Sequence, residues 1–198
     1  MPRIPLVAAF TSSGTAREQQ LVHRPLYDGA PAELPVLVLT EEGEPVTEDR
    51  LDSLGIEADD AFTDAADARA EAADASWTAQ AIPVKGGGAL PILVREGDTA
   101  DVEDVIVPQV LEQAAGLLRT SSLAIALPAR GILLATDASQ KWQLVAAFAT
   151  AARLQYERAG EDALWPGVLR VESGHVKGVI ELSTVSLDAA AARARERS

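Results

Sequence analysis

The sequence predicts an α+β fold: a largely antiparallel sheet built from hairpins, with amphipathic helices packed on one face. Three observations predict this class. Short apolar runs occur in pairs around turn residues, most clearly at 122–127 and 132–136. Single segments with helical spacing of apolar residues separate those pairs. The strict alternation of strands and helices that a doubly wound nucleotide-binding fold requires is missing.

Strands dominate the predicted N-terminal third. The runs at 6–10 and 35–40 are short and apolar, which is typical of buried strands. Segment 21–27 has the composition of an edge strand, because Pro25 has no amide hydrogen to give to a sheet ladder.

Two helices are predicted next. Thr47 stands where a side-chain cap is needed for a helix over 48–54, and Gly55 can end that helix in a left-handed conformation. A second helix over 58–74 consists mostly of Ala and Asp. Alanine favours helix but buries little area, so this helix must pack closely on its neighbours.

Two further strands, 77–84 and 89–96, are predicted on either side of a Lys-Gly-Gly-Gly connection. An amphipathic stretch then runs from Asp98 to Arg119 and contains Pro108. Because proline is tolerated only in the first turn of a helix, either the helix kinks there or its main body begins at Pro108.

The remaining sequence predicts two hairpins around one long helix. The first hairpin turns at 128–131, and the pattern Asp-Ala-Ser-Gln at 137–140 has the form of a capping box for a helix that reaches Ala159. The last hairpin pairs 168–171 with 176–182 through a turn at Ser173-Gly174.

Composition changes along the chain predict three portions. These are an acidic α+β portion over 1–76, an α+β core over 77–185 and an Ala- and Arg-rich tail over 186–198. With no clear linker between the portions, we expect one continuous domain.

The distribution of charge along the chain restricts the kinds of partner that we expect. The net charge is −13, and residues 41–74 hold thirteen acidic side chains against Arg50 and Arg69. An acidic surface repels phosphate backbones, so nucleic-acid binding is disfavoured. A partner of this acidic segment is expected to be basic.

The residue types that are absent restrict the chemistry. The chain has no cysteine, which excludes disulfides and thiolate chemistry and fits a reducing compartment, and its two histidines, His23 and His175, are far apart. We therefore expect no metal and no cofactor.

No apolar run is long enough to cross a bilayer, and the N-terminus does not have the pattern of a signal peptide. We therefore expect a cytoplasmic protein without a membrane partner.

Four segments carry a resemblance to a known family. They are 105–111, 126–137, 46–56 and 164–169, of which 126–137, Ala-Leu-Pro-Ala-Arg-Gly-Ile-Leu-Leu-Ala-Thr-Asp, is the most specific. In these segments the chain resembles the uncharacterised bacterial family typified by the YtpQ protein. The resemblance implies an α+β domain of unknown biochemical role and no established active site.

Four residues are candidates for ligand binding, namely Lys85, Arg95, Arg130 and Asp137. Lys85 beside three glycines could hold an anion with bare amides, although the full phosphate-loop spacing is missing and a flexible strand connection explains the glycines. Arg130 and Asp137 flank one strand and could bind a carboxylate or an amine. Their structural interpretation, as a turn residue and a helix cap, is the simpler one.

Asp60, Asp64 and Asp67 share one face of the predicted Ala- and Asp-rich helix. A calcium site needs a loop that surrounds the ion, so a solvated acidic face is the simpler interpretation.

No catalytic motif is evident, and this gives three hypotheses of function. The first is a non-enzymatic binding or regulatory module that contacts protein through an apolar sheet face or the acidic 41–74 segment. The second is an enzyme, hydrolase-like, with a site of dispersed Asp, Glu and Arg residues. The third is a homo-oligomeric structural protein paired through an edge strand such as 20–27.

Overall fold

The computed structural model describes residues 6–72, 76–84, 88–96 and 102–181. Contacts between Cα atoms divide the chain into two compact units, residues 1–73 and 74–198. The boundary lies close to the composition change expected near residue 76. Among the described helices, none combines the length and the apolar character needed to cross a membrane.

The first unit is a small antiparallel sheet with three helices. Its elements are β1 (Leu6–Thr11), α1 (Ser13–Glu18), β2 (His23–Arg24), β3 (Val36–Glu41), β4 (Glu44–Pro45), α2 (Glu48–Leu54) and α3 (Ala58–Ala72). Strand β3 is central: it pairs with β1 along its whole length and with the two short strands β2 and β4. The segment predicted as an edge strand over 21–27 therefore contributes only two strand residues.

The helices of the first unit cover its sheet. Val36 and Val38 of β3 pack with Ala16 of α1 and with Leu21. Helix α3 contacts β1 and β3 and buries Phe62, its only large apolar side chain. This close packing is what the small side chains of the helix require.

The cap predicted for α2 is confirmed. The side chain of Thr47 accepts a hydrogen bond from the Arg50 amide, and Gly55 ends the helix in the left-handed conformation, with φ +65°.

The second unit is a six-stranded antiparallel sheet with two long helices. Its elements are β5 (Thr78–Pro83), β6 (Ala89–Glu96), a 3-10 helix (Val102–Ile106), α4 (Pro108–Leu118), β7 (Ser122–Ala129), β8 (Ile132–Asp137), α5 (Trp142–Ala159), a second 3-10 helix (Gly160–Asp162), β9 (Val168–Glu172) and β10 (His175–Val179). The strand order is β10-β9-β7-β8-β6-β5, and every neighbouring pair is antiparallel. The α+β class and the hairpin-built antiparallel sheet are thus confirmed.

Helix packing in this unit is broader than the one-sided arrangement predicted. Phe148 of α5 packs with Leu134 and Ala124 on one side of the sheet. The alternate residues Ile125 and Leu133 are also fully buried, and α4 contacts β6, β7 and β8. Because side chains alternate between the faces of a strand, both faces of β7 and β8 are covered. The continuous apolar runs of these two strands are the sequence signature of such two-sided burial.

The starts of two helices, α4 and α5, can be compared with the sequence predictions. Helix α4 begins with Pro108 in its first turn, which confirms one of the two alternatives for this proline. The capping-box prediction for 137–140 is wrong: α5 begins at Trp142, and its N-cap residue Lys141 makes no side-chain cap hydrogen bond. Asp137 instead closes a turn at the end of β8, where its carboxylate accepts from the amide and hydroxyl of Ser139.

Candidate functional site

The candidate ligand-binding residues occupy different environments. Lys85 lies outside the described residues. Arg130 is exposed in the β7–β8 turn, where its amide donates to the Asp162 carbonyl at 2.9 Å. Asp137 is at the opposite end of β8, a strand whose six residues span about 17 Å. The structure therefore does not bring Arg130 and Asp137 together, and a ligand-binding role for either residue stays a prediction.

Arg95 lies in the interior of the second unit. Its side chain is 2% exposed and forms a 2.5 Å ion pair with Asp104, whose side chain is fully buried in the 3-10 helix 102–106. The guanidinium also donates to the Ser76 carbonyl at 3.2 Å. Two charges removed from water interact strongly, and losing either partner would leave the other buried as an ion. These contacts of Arg95 tie β6 to the segment in front of β5, and a ligand-binding role for Arg95 stays a prediction.

Trp77 completes this connection. Its ring lies over the Arg95 guanidinium, 5.7 Å from centroid to Cζ, and its indole N–H donates to the Val110 carbonyl of α4 at 3.2 Å. The two residues immediately before β5 are thus held by the buried arginine and by α4. These contacts hold the start of strand β5 in place.

Asp137 has a lowered pKa. Its partial burial alone would raise the pKa, but hydrogen bonds from the hydroxyl groups of Thr120 and Ser139 and from the Ser139 amide outweigh burial and hold the pKa below its ordinary value. The Thr120 bond is 2.7 Å long and the two Ser139 bonds are 2.8 and 2.7 Å. The carboxylate joins the α4–β7 connection to the end of β8.

Within the part of the chain that the structure describes, strand β5 presents an edge with little of the usual protection. The outer edge of β5, meaning the side of Thr78–Pro83 that faces away from β6, is paired with no strand among the described residues. The strand carries no charge, pairs with β6 without a register shift, and is exposed at every residue except Ile82, which is half-buried. Charges, prolines and bulges are the devices that normally prevent strand addition, and here only the terminal Pro83 supplies one.

The other edge strand of the same sheet, β10, is protected. It carries Lys177, and its pairing with β9 shifts register between Val176 and Gly178. A lysine and a bulge both oppose the addition of another strand. The two edges of one sheet thus differ in their ability to accept a partner.

The direction of the β5 amides follows from one hydrogen bond. The Val84 amide donates to the Gly88 carbonyl at 3.1 Å, so it points across to β6. Because alternate residues of a strand direct their backbone polar groups to opposite sides, Ala79 and Ala81 present theirs on the outer edge. Pro91 of β6 lies opposite Ala81. Because the polar groups of Ala81 face outward, no hydrogen bond from residue 91 to β5 is needed there, which agrees with a proline that has no N–H.

The three aspartates predicted to share one face of the Ala- and Asp-rich helix are exposed. Asp60, Asp64 and Asp67 all lie on the solvent side of α3. Within the described ranges, no group of three or more His, Cys, Asp or Glu residues could hold a metal ion. His23 and His175 are both exposed strand residues.

A scan of protein-family models and searches of curated proteins and of solved structures found no match to this chain. The resemblance to the YtpQ-like family therefore stays a prediction.

Proposed function

We propose that this chain is a non-enzymatic protein-binding module that receives an extended segment of protein along the outer edge of β5. The single observation that supports this most strongly is the uncharged, regular and exposed character of that edge. Strand addition to such an edge takes its affinity from main-chain hydrogen bonds and its specificity from alternate side chains.

We propose the outer edge of β5 as the contact surface in place of the two surfaces that the sequence predicted, an apolar sheet face and the acidic 41–74 segment. An apolar sheet face has little support, because the central strands β7 and β8 are buried on both faces. The acidic 41–74 segment is exposed over much of α2 and α3, but nothing in its geometry specifies a partner.

The position of β5 supports the same proposal. Ser76 and Trp77 are tied to Arg95 and to α4, so the strand is held before any partner arrives. Preorganisation of a binding element reduces the ordering cost of association. We further propose that the protein is bacterial, belongs to the YtpQ-like family and acts in the cytoplasm, where a chain without cysteine has no disulfide to lose.

Ala81→Pro tests the proposal, because it removes an outward amide and leaves the β5–β6 hydrogen bonds in place. Ala81→Val is the matched control, since it changes the side chain and keeps the amide. Tagged wild-type and variant chains are used to capture partners from an extract of the source cells, after circular dichroism has shown that each is folded. Proteins captured by wild type and Ala81→Val and lost from Ala81→Pro support the proposal, and identical capture by all three contradicts it.

The enzyme hypothesis has less support. Of its dispersed polar candidates, Arg95 is engaged in a buried ion pair, and Arg130 and Asp137 are at opposite ends of β8. Convergent polar groups around one reacting atom are the minimum that catalysis requires.

A further inference from the structure

We infer that the protein segment received along the outer edge of β5 is the β5 strand of a second copy, so that two six-stranded sheets join into one across a twofold axis. This inference rests on the proposed function and names the partner of the same edge. Segment 20–27, the edge strand expected to pair copies, is a poor candidate because only His23–Arg24 is strand.

The backbone pattern of β5 is self-complementary. In an antiparallel pair centred on Gln80, Ala79 of one copy lies opposite Ala81 of the other, and these are the two residues whose amides and carbonyls face outward. Each such pair exchanges two hydrogen bonds, so all outward groups of both alanines are satisfied. Pro83, which has no amide to donate, falls at the end of the paired segment.

The side chain at the centre also suits a twofold axis. Gln80 of one copy lies opposite Gln80 of the other at a non-hydrogen-bonded position, where facing side chains are closest. A carboxamide has both a donor and an acceptor, so two glutamines related by a twofold axis can bond to each other. Gln80 is exposed in the single chain, so its side chain is accessible to a second copy.

Charge favours a second copy over a charged partner. The edge carries no charge that would select a basic or an acidic segment. The second unit as a whole is close to neutral, with 12 Lys and Arg residues against 15 Asp and Glu residues over 74–198, whereas most of the acidic excess lies in 1–73. The second unit itself therefore adds little net charge that would oppose pairing at this edge.

The first measurement is the mass of the full chain in solution by light scattering and sedimentation, over roughly micromolar to hundreds of micromolar concentrations, the range in which small interfaces associate. We expect the mass to rise from 20.8 kDa toward twice that value. Ala81→Pro removes two hydrogen bonds from each dimer and should raise the dimer Kd about thirty-fold, whereas Ala81→Val should leave it nearly unchanged.

The second measurement tests the register. The chain has no cysteine, so Gln80→Cys introduces a single thiol that would lie directly opposite its counterpart, within disulfide reach. In the control Thr78→Cys, each thiol lies opposite Ile82 of the second copy, and the two thiols are about 13 Å apart. We expect mild oxidation to link Gln80→Cys chains into covalent dimers much faster than Thr78→Cys chains.

The results distinguish a failure of this inference from a failure of the proposed function on which it rests. A wild-type mass that stays at the monomer value, or equal crosslinking of the two cysteine variants, overturns the inference. If the chain is monomeric but still captures other proteins in an Ala81→Pro-sensitive manner, the proposed function stands with a different partner. If that capture also fails, both are wrong.

Discussion

Arg95 and Asp104, nine residues apart in the sequence, form a 2.5 Å ion pair with both side chains almost completely removed from solvent. The pair joins β6 to the 3-10 helix 102–106, and through Ser76 and Trp77 it also fixes the start of β5. A buried pair of this kind contributes little against a well-packed apolar substitute, but removing one member takes this ion pair away from a charge that stays in the interior.

Asp104→Asn should lower the free energy of unfolding by about 3 to 5 kcal/mol, because Arg95 would stay charged in a buried position. Urea denaturation followed by tryptophan fluorescence measures the loss, since Trp77 lies over the guanidinium. Glu157→Gln is the matched control: it breaks the exposed Arg153–Glu157 pair of α5, in the same unit as the three tryptophans, and should have a much smaller effect. The combined variant Arg95→Met/Asp104→Leu should recover stability relative to Asp104→Asn, and a further loss would contradict this account of the pair.

Thr47→Ala should destabilise the protein by about 0.5 to 1 kcal/mol, at the lower end of cap effects because the hydrogen bond from the Arg50 amide is 3.4 Å long. Thr63→Ala is a suitable control in the neighbouring helix. The Thr63 hydroxyl bonds back to the Asp59 carbonyl within α3, and its loss should be neutral or slightly stabilising. Thermal melting of the two variants separates these effects, and equal losses would show that Thr47 does not act as a cap.

Elements of the second unit that depend on local residues were predictable. The turn at Ser173-Gly174 was one, because both residues adopt positive φ, 50° and 72°, as a two-residue hairpin turn requires. The proline start of α4 was another. In both places the local backbone requirement and the tertiary structure agree, which is why the sequence pattern was sufficient.

The contacts of the candidate residues were not predictable in the same way. Asp137 stands in a pattern that fits both a capping box and an Asx turn, and the hydroxyl of Thr120, seventeen residues away in sequence, bonds to the carboxylate that closes the turn. In the sequence, Asp104 is one of several acidic residues near a predicted helix start. No sequence spacing shows that its side chain is buried against Arg95. Long-range pairs of this kind depend on how strands and helices meet, and a single sequence does not record that.

Asp137→Asn should remove part of the pH dependence of stability. The folded pKa is depressed by the hydrogen bonds from Thr120 and Ser139, so ionised Asp137 stabilises the fold at pH above its unfolded pKa, and the contribution is lost as pH falls through the folded pKa. The variant should therefore be less stable than wild type at neutral pH, by about 1 kcal/mol given the partial exposure of the group.

Urea denaturation of both proteins from about pH 7 to about pH 2 measures the difference, which should shrink toward acid. Glu112→Gln, at an exposed position of α4, is the control for the loss of one negative charge. A difference between wild type and Asp137→Asn that stays constant across this range would contradict the assignment.

Gly167→Ala should destabilise the second unit through a steric conflict with Trp165. An added Cβ would lie 2.3 Å from two atoms of the indole ring, and Trp165 is itself buried, so the ring must move from its packed position. Overpacking of this kind costs about 1 to 3 kcal/mol. Gly116→Ala is the matched control, because that glycine lies within α4 and the added Cβ would meet nothing within 4 Å beyond its chain neighbours and the backbone of its own helix.

Alanine is a better helix former than glycine, so Gly116→Ala should stabilise the protein by about 0.5 to 1 kcal/mol. Chemical denaturation of the two variants measures opposite signs if close approach of the backbone to Trp165 is the reason for glycine at 167. Loss of the Trp165 contact should also change the fluorescence of the native state. An alanine tolerated at 167 without loss of stability would mean that the indole ring can repack, and that the chain between α5 and β9 is not fixed by this contact.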